Sequence, residues 1–117
     1  MEEENKVSVW IGNFNSAAEF KKYVEEEYDD DGEMTSPFLT DFEIDYYDED
    51  LKESVFSEDA NKKELLEGFS YSENFISKIP AGVLENSNSF LFLYNFEHDE
   101  TVINKGKFSF IGTYDYQ

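Results

Sequence analysis

The sequence predicts an α+β fold in which helices pack on one face of a small, mostly antiparallel sheet. Three observations support this fold class. Apolar residues alternate along residues 7–11, a capped amphipathic segment begins at residue 16, and aromatic residues alternate along residues 89–96. Because 117 residues are enough for one hydrophobic core but not for two, we expect a single domain over residues 1–117.

The first predicted element is a strand over residues 6–12. Val7, Val9 and Ile11 alternate with Ser8 and Trp10, which is the two-residue period of a β-strand. Trp10 then lies on the opposite face from the aliphatic residues. For this large side chain we favour packing in the core over a role in binding.

A helix is predicted next, because Ser16 and Glu19 have the spacing of a capping box. One apolar stripe with four-residue spacing continues the helix through Phe20, Val24 and Tyr28. Residues 25–27 are all glutamate and lie where the helix dipole disfavours anions. Such a local conflict is typical of functional surfaces.

The most acidic stretch covers residues 25–59 and contains sixteen carboxylates, six aromatic residues and one cation, Lys52. One interpretation is a solvated acidic loop. The other is an anionic, tyrosine-containing face for a basic partner. Disordered acidic tails are poor in aromatic residues, whereas here aromatic and aliphatic residues are interleaved with the acids, which favours the second interpretation.

Within this stretch, residues 29–32 (Asp-Asp-Asp-Gly) invite comparison with a calcium-binding loop. The position that needs a bidentate carboxylate is occupied by Phe38, so a turn is predicted instead. Further on, the alternation in residues 42–46 is consistent with a short edge strand. Residues 48–56 fit either a short helix or irregular structure.

Two short helices are predicted in the second half of the chain. One covers residues 60–67 after an N-cap at Ser57 or Asp59, and the other covers residues 72–79; a glycine and a proline end them. Residues 81–88 are interpreted as a connection.

The two last predicted elements are strands. Residues 89–96 are apolar on both faces, so this strand is expected in the centre of the sheet. Residues 107–114 return as a second strand. We expect the two to pair as a hairpin with a long loop.

The formal net charge of -19 restricts the partners of the protein. Nucleic acid and anionic membranes are not expected as direct ligands, because binding phosphate requires cations. All nine cations are lysine, which removes bidentate guanidinium recognition. The natural partner is a basic protein, whose association would be steered by the field and weakened by salt.

Enzyme chemistry finds little support. The chain has no cysteine, which excludes thiolate catalysis and cysteine-ligated zinc, and its one histidine, His98, is expected to be solvated in a loop. With 28 acids, some carboxylate pair always looks suitable for hydrolysis, so such pairs are uninformative. We expect no enzymatic activity and no cofactor. The acidic N-terminus is unlike a signal peptide and predicts a cytoplasmic protein.

Several motifs carry a resemblance to a known family: Val7-Ser8-Val9-Trp10-Ile11-Gly12-Asn13-Phe14, Ser36-Pro37-Phe38, Asp41-Phe42, Ile44-Asp45-Tyr46-Tyr47-Asp48-Glu49-Asp50 and Tyr94-Asn95-Phe96. From Val7 to about Gly112 the chain resembles the immunity protein 22 family of bacterial polymorphic toxin systems. The resemblance implies one immunity-like domain in the cytoplasm that binds and neutralises a cognate toxin domain. It brings no catalytic residues.

Many toxin domains of this kind are nucleases with basic channels, which an acidic surface could occupy as a polyanion would. The hypothesis is a contact centred on Asp45, Tyr46, Tyr47, Asp48, Glu49 and Asp50, with Asp29, Asp30 and Asp31 at its rim. The two tyrosines are expected as anchors. Two alternatives stay open: an inhibitor that mimics nucleic acid against a basic nucleic-acid-binding protein, and a non-catalytic acidic adaptor.

Overall fold

A computed structural model describes residues 2–57, 66–99 and 102–117. The elements follow one another as β1 (Glu2–Gly12), α1 (Ala17–Val24), β2 (Glu27–Tyr28), β3 (Met34–Thr35), α2 (Pro37–Asp41), a 3-10 turn (Glu49–Leu51), β4 (Lys52–Phe56), α3 (Ser72–Phe75), a second 3-10 turn (Ile76–Lys78), α4 (Ala81–Glu85), β5 (Ser89–Phe96), β6 (Asn104–Lys105) and β7 (Phe108–Asp115). Within these residues, five strands form one antiparallel sheet, and β2 pairs with β3 in a separate hairpin. The α+β class and the antiparallel sheet are confirmed.

The strand order of the sheet is β4-β5-β1-β7-β6. The expected hairpin between the two C-terminal strands is therefore wrong, because β1 lies between them. Val9 pairs with Phe92 of β5 on one side and with Gly112 of β7 on the other. Buried Ser8 joins all three strands, since its hydroxyl donates to the Phe96 carbonyl at 2.7 Å and lies 3.0 Å from the Thr113 hydroxyl.

Helices cover both faces of the sheet rather than the single face expected from the sequence. Side chains alternate along β1, so fully buried Trp10 faces α1 and α2, and fully buried Val9 faces α3 and α4. β5 is apolar on both sides in the same way and lies inside the sheet, as predicted. A strand that is apolar on both faces requires a covering layer on each, which a single helical layer cannot supply. The placement of Trp10 in the core is confirmed.

Helix α1 begins as predicted and ends earlier. The Ser16 hydroxyl accepts from the Glu19 amide at 3.1 Å, while the Glu19 carboxylate accepts from Asn15. The helix ends at Val24, not at Tyr28, which lies in β2 and is 55% exposed. Three consecutive glutamates after Val24 oppose the helix dipole, and the chain turns into the hairpin there.

Ser36 starts a helix that the sequence analysis did not predict. Its hydroxyl accepts from the Leu39 amide at 3.0 Å, and proline occupies the first helical position of α2. The edge strand expected over residues 42–46 is absent because the helix ends there in a Schellman motif. In that motif Ile44 N donates to Leu39 O, Glu43 N donates to Thr40 O, and Glu43 has φ +55°.

The question left open for residues 48–56 is settled by a 3-10 turn followed by β4, which is an edge strand of the sheet. Every residue of β4 is only partly buried, so the strand lacks the alternation that sequence patterns reveal.

In the second half, the helix expected over residues 72–79 is present as α3 and its 3-10 continuation. Residues 81–88, expected as a connection, include α4. Pro80 is the N-cap of this short helix. The proline that was predicted to end the preceding helix therefore also marks the start of the next one. The helix expected over 60–67, with its N-cap at Ser57 or Asp59, lies largely outside the described residues.

His98 is buried, not solvated. Its ring contacts Trp10, Phe42 and Phe110, with ring centroids 5.4, 6.1 and 4.7 Å away, and its Nε2 lies 2.9 Å from the Val102 carbonyl oxygen. The turn after β5 directs this side chain towards the core, a tertiary effect that the local sequence does not encode. His98 is therefore a structural residue.

Candidate functional site

Apart from Glu25, which pairs with Lys21, the exposed acids of residues 25–51 belong to two segments, which we call the acidic hairpin (27–35) and the acidic loop (43–51). Neither segment contains Lys or Arg. The predicted contact residues exposed on them are Asp29, Asp30, Asp31, Asp45, Tyr46, Asp48, Glu49 and Asp50. Both segments therefore present negative charge without local compensation.

At the tip of the acidic hairpin, Asp29 holds the turn together. One of its carboxylate oxygens accepts from the Asp31 and Glu33 amides, both at 2.9 Å, and its carbonyl accepts from Gly32 at 2.9 Å. Gly32 has φ +81°, a conformation that glycine adopts without strain. The predicted turn is confirmed. Asp30 and Asp31 project their carboxylates from a turn that Asp29 has fixed.

In the acidic loop, Asp48 orders the residues that follow it. Its Oδ1 accepts from the Asp50 amide at 3.0 Å, and its carbonyl accepts from the Leu51 amide at 2.9 Å. This is the capping pattern of a short side chain at a helix start. Glu49 and Asp50 are thereby held on a 3-10 turn that continues into β4.

The two neighbouring tyrosines of the loop have opposite environments. Tyr46 is 68% exposed, whereas Tyr47 is 3% exposed and its hydroxyl donates to the Glu26 carboxylate. Burial, together with this hydrogen bond, raises the pKa of Tyr47 above its ordinary value. Tyr46 can therefore offer its ring to a partner, while Tyr47 holds the loop against the core.

Glu26 links the helix, the loop and the sheet edge. Its carboxylate lies 2.5 Å from Lys52 Nζ, and the same Nζ donates to the Val24 carbonyl at 3.0 Å. Burial alone would raise the pKa of Glu26, but hydrogen bonds from Lys52 and Tyr47 hold it below its usual value. Glu26 is thus an internal anion with two donors.

Tyr28 of the acidic hairpin interacts with Glu49 of the acidic loop. A hydrogen bond with Glu49, with smaller contributions from desolvation and from the charges of Glu49 and Glu26, raises the pKa of Tyr28 to about 12. The two segments therefore lie close to each other at this point.

The sequence analysis missed three residues of this arrangement: Glu26, Tyr28 and Lys52. An ion pair of Lys52 could have been predicted, because Lys52 is the single cation of residues 25–59 and many acids surround it in the sequence. The local sequence did not distinguish Tyr28 from a residue on the apolar face of the predicted helix.

The exposed groups of the two acidic segments include carboxylates and the rings of Tyr28 and Tyr46. Within residues 2–57, 66–99 and 102–117, no group of three or more His, Cys, Asp or Glu residues could hold a metal ion. The ordered carboxylates create a negative potential that attracts cationic groups and speeds their arrival. An exposed tyrosine beside them adds contact area at low entropic cost.

Comparisons with known proteins complete the description of the site. In the part of the chain that the structure covers, no helix is both long and apolar enough to cross a membrane. Searches of curated proteins and of solved structures gave no match. The family model described as Immunity protein 22 matches residues 7–117, nearly the whole chain. This family points to a role in neutralising a toxin, and the chain belongs to the Immunity protein 22 family.

Proposed function

We propose that this protein is a single immunity-like domain that neutralises a cognate toxin domain in the cytoplasm, without catalysis, by binding it through the acidic hairpin and the acidic loop. One observation carries the proposal: the turns that present the exposed carboxylates of both segments are ordered by internal hydrogen bonds to Asp29 and Asp48. A fixed array of charge costs less conformational entropy on binding than a flexible acidic tail does.

The charge of this array specifies the partner as basic. A toxin that cuts nucleic acid must hold phosphates with Lys or Arg, so its substrate channel is cationic. An acidic surface that covers such a channel gains the same attraction and blocks the substrate. A nuclease toxin is therefore the preferred partner class.

The residues of the surface take different roles in this proposal. Asp30, Asp31, Asp45 and Asp50 steer the encounter, and Tyr46 anchors the contact because large exposed aromatic side chains dominate many interfaces. Asp29, Tyr47 and Asp48 position them through internal hydrogen bonds. Glu49, whose interaction raises the pKa of Tyr28, contributes to the negative field of the loop.

The test is a matched pair of charge-neutralised variants. Asp45→Asn/Glu49→Gln/Asp50→Asn changes the acidic loop, and Glu67→Gln/Glu73→Gln/Glu85→Gln removes the same charge from exposed positions elsewhere. The partner to be tested is a toxin domain sought among the genes adjacent to the gene of this protein, and association rates are measured at several salt concentrations.

Local electrostatic steering predicts that the loop variant associates on the order of 10-fold more slowly and loses salt dependence. The control variant should stay close to the wild type and still protect cells. Equal association rates for the two variants would contradict the assignment of the binding site to the acidic loop. Inhibition that competes with DNA or RNA across several unrelated binding proteins would instead favour the nucleic-acid mimic.

A further inference from the structure

A narrow groove lies between the acidic loop and the end of β5. β4 pairs with β5 only as far as Leu93, so Tyr94–Phe96 continue beyond the edge strand. Residues 46–51 occupy the space beside this extension. The groove between them has a volume of about 90 Å³ and is lined by residues 46–48, 51 and 93–96.

The size of the groove limits its occupant. A drug-sized ligand or a cofactor needs roughly 300 Å³ or more, several times this volume. A volume of about 90 Å³ instead accommodates a few water molecules or the end of one side chain. The occupant is therefore part of a larger partner.

The lining of the groove specifies the charge of that side chain. Leu93 and Phe96 are at most 4% exposed and give an apolar floor. Tyr46 and Asp48, which are both exposed, also line the groove. Asp48 uses Oδ1 for the Asp50 amide, and a carboxylate accepts further hydrogen bonds. An aromatic ring beside a carboxylate is complementary to a cation.

We propose that this groove receives an arginine side chain of the bound partner, an inference that rests on the proposed toxin-binding function. A guanidinium is planar, stacks on an aromatic face and donates two parallel hydrogen bonds to one carboxylate, whereas the ammonium of lysine is more strongly hydrated and has no flat face. The arginine stacks on Tyr46, donates to Asp48 and places its aliphatic stem over the apolar floor.

The test titrates the full chain with N-acetyl-arginine amide and follows backbone amide chemical shifts by NMR. N-acetyl-lysine amide and the neutral N-acetyl-citrulline amide are run in parallel. The expected result is saturable shift changes concentrated at residues 46–51 and 94–96, with lysine at least about 3-fold weaker and citrulline without effect.

Two pairs of variants sharpen the result. Asp48→Asn keeps the N-cap but removes the charge, and Asp30→Asn removes one charge at the hairpin tip. The first should weaken arginine binding about 3-fold or more, and the second should leave it unchanged. Tyr46→Phe should retain binding because it keeps the ring, and Tyr46→Ala should lose it.

Equal chemical-shift changes for arginine and lysine, spread over both acidic segments, would refute the proposal that the groove binds arginine. Equal effects of Asp48→Asn and Asp30→Asn on arginine binding would refute it too. The absence of any saturable shift at residues 46–51 would also overturn it. If the protein still binds its toxin in such a case, only the proposed arginine site is refuted and the proposed function stands. Loss of toxin binding itself would be recognised separately, by the association measurements described above.

Discussion

Lys52 Nζ lies 2.5 Å from the Glu26 carboxylate, and the two side chains are only 13% and 11% exposed. The single cation of the most acidic stretch is thus turned inward, where it fastens the first strand residue of β4 to the end of α1 through the Val24 carbonyl. The acids of the acidic hairpin and the acidic loop have no cation within their own segments.

The first prediction concerns the loss of this cation. Lys52→Met leaves Glu26 buried without its main donor, and breaking a buried pair from one side destabilises a fold by about 3 kcal/mol. We expect a decrease of this size in the free energy of unfolding, measured by urea denaturation. The double variant Lys52→Met/Glu26→Gln should recover a large part of it. Wild-type stability of the single variant would show that the pair carries no net interaction.

The second prediction is a pH dependence. Because the pKa of Glu26 is lower in the folded chain than its ordinary value of 4.5, its ionised form stabilises the fold above pH 4.5. That stabilisation disappears as the pH falls through the lower, folded-state pKa. The stability difference between wild type and Glu26→Gln should therefore be constant near neutrality and shrink on acidification below pH 4.5.

Urea denaturation of both proteins at a series of pH values measures this difference. Subtracting the two curves removes the titration of the other carboxylates, which both proteins share. A difference that stays constant down to strongly acidic pH would contradict the assigned role of Glu26.

The third prediction concerns the bridge between the two acidic segments. In Glu49→Gln the pKa of Tyr28 should fall from about 12 towards its ordinary value of 10.0, because the hydrogen bond and the negative charge of Glu49 both oppose ionisation of the phenol. NMR titration of the tyrosine ring carbons gives this value directly. The exposed control Asp30→Asn should leave the pKa of Tyr28 in place.

The fourth prediction concerns the backbone at Glu43, which ends α2 with φ +55°. A side chain disfavours this conformation by about 1–2 kcal/mol, and glycine avoids the penalty at some entropic cost. We therefore expect Glu43→Gly to stabilise the fold by roughly 0.5–1 kcal/mol in thermal or urea unfolding. Glu43→Ala is the control, since it removes the charge but keeps Cβ. Equal stabilities of these two variants would show that the backbone at Glu43 is not strained.

Local signals predicted the elements that depend on neighbouring residues. The cap at Ser16, the turn at Asp29 and the strand over residues 89–96 follow from spacing alone, and all three are present. The insertion of β1 between the C-terminal strands could not be predicted, because strand order depends on contacts between distant segments.

The exposure of the two acidic segments was predicted from the sequence, but the environment of each side chain was not. Both acidic segments are exposed as expected, but Tyr46 and Tyr47 are adjacent in sequence and only the structure separates an exposed ring from a buried one. The same holds for His98, whose neighbours in sequence are polar while its neighbours in space are aromatic.

The hydroxyl of Ser8 reaches partners that lie 88 and 105 residues further along the chain. The strand at the middle of the sheet therefore pairs with two strands that are both far away in the sequence. Pairing across such separations makes folding slow. The sheet beside the acidic hairpin and the acidic loop therefore forms only when segments far apart in the sequence have met, so the ordered acidic surface is a late product of folding.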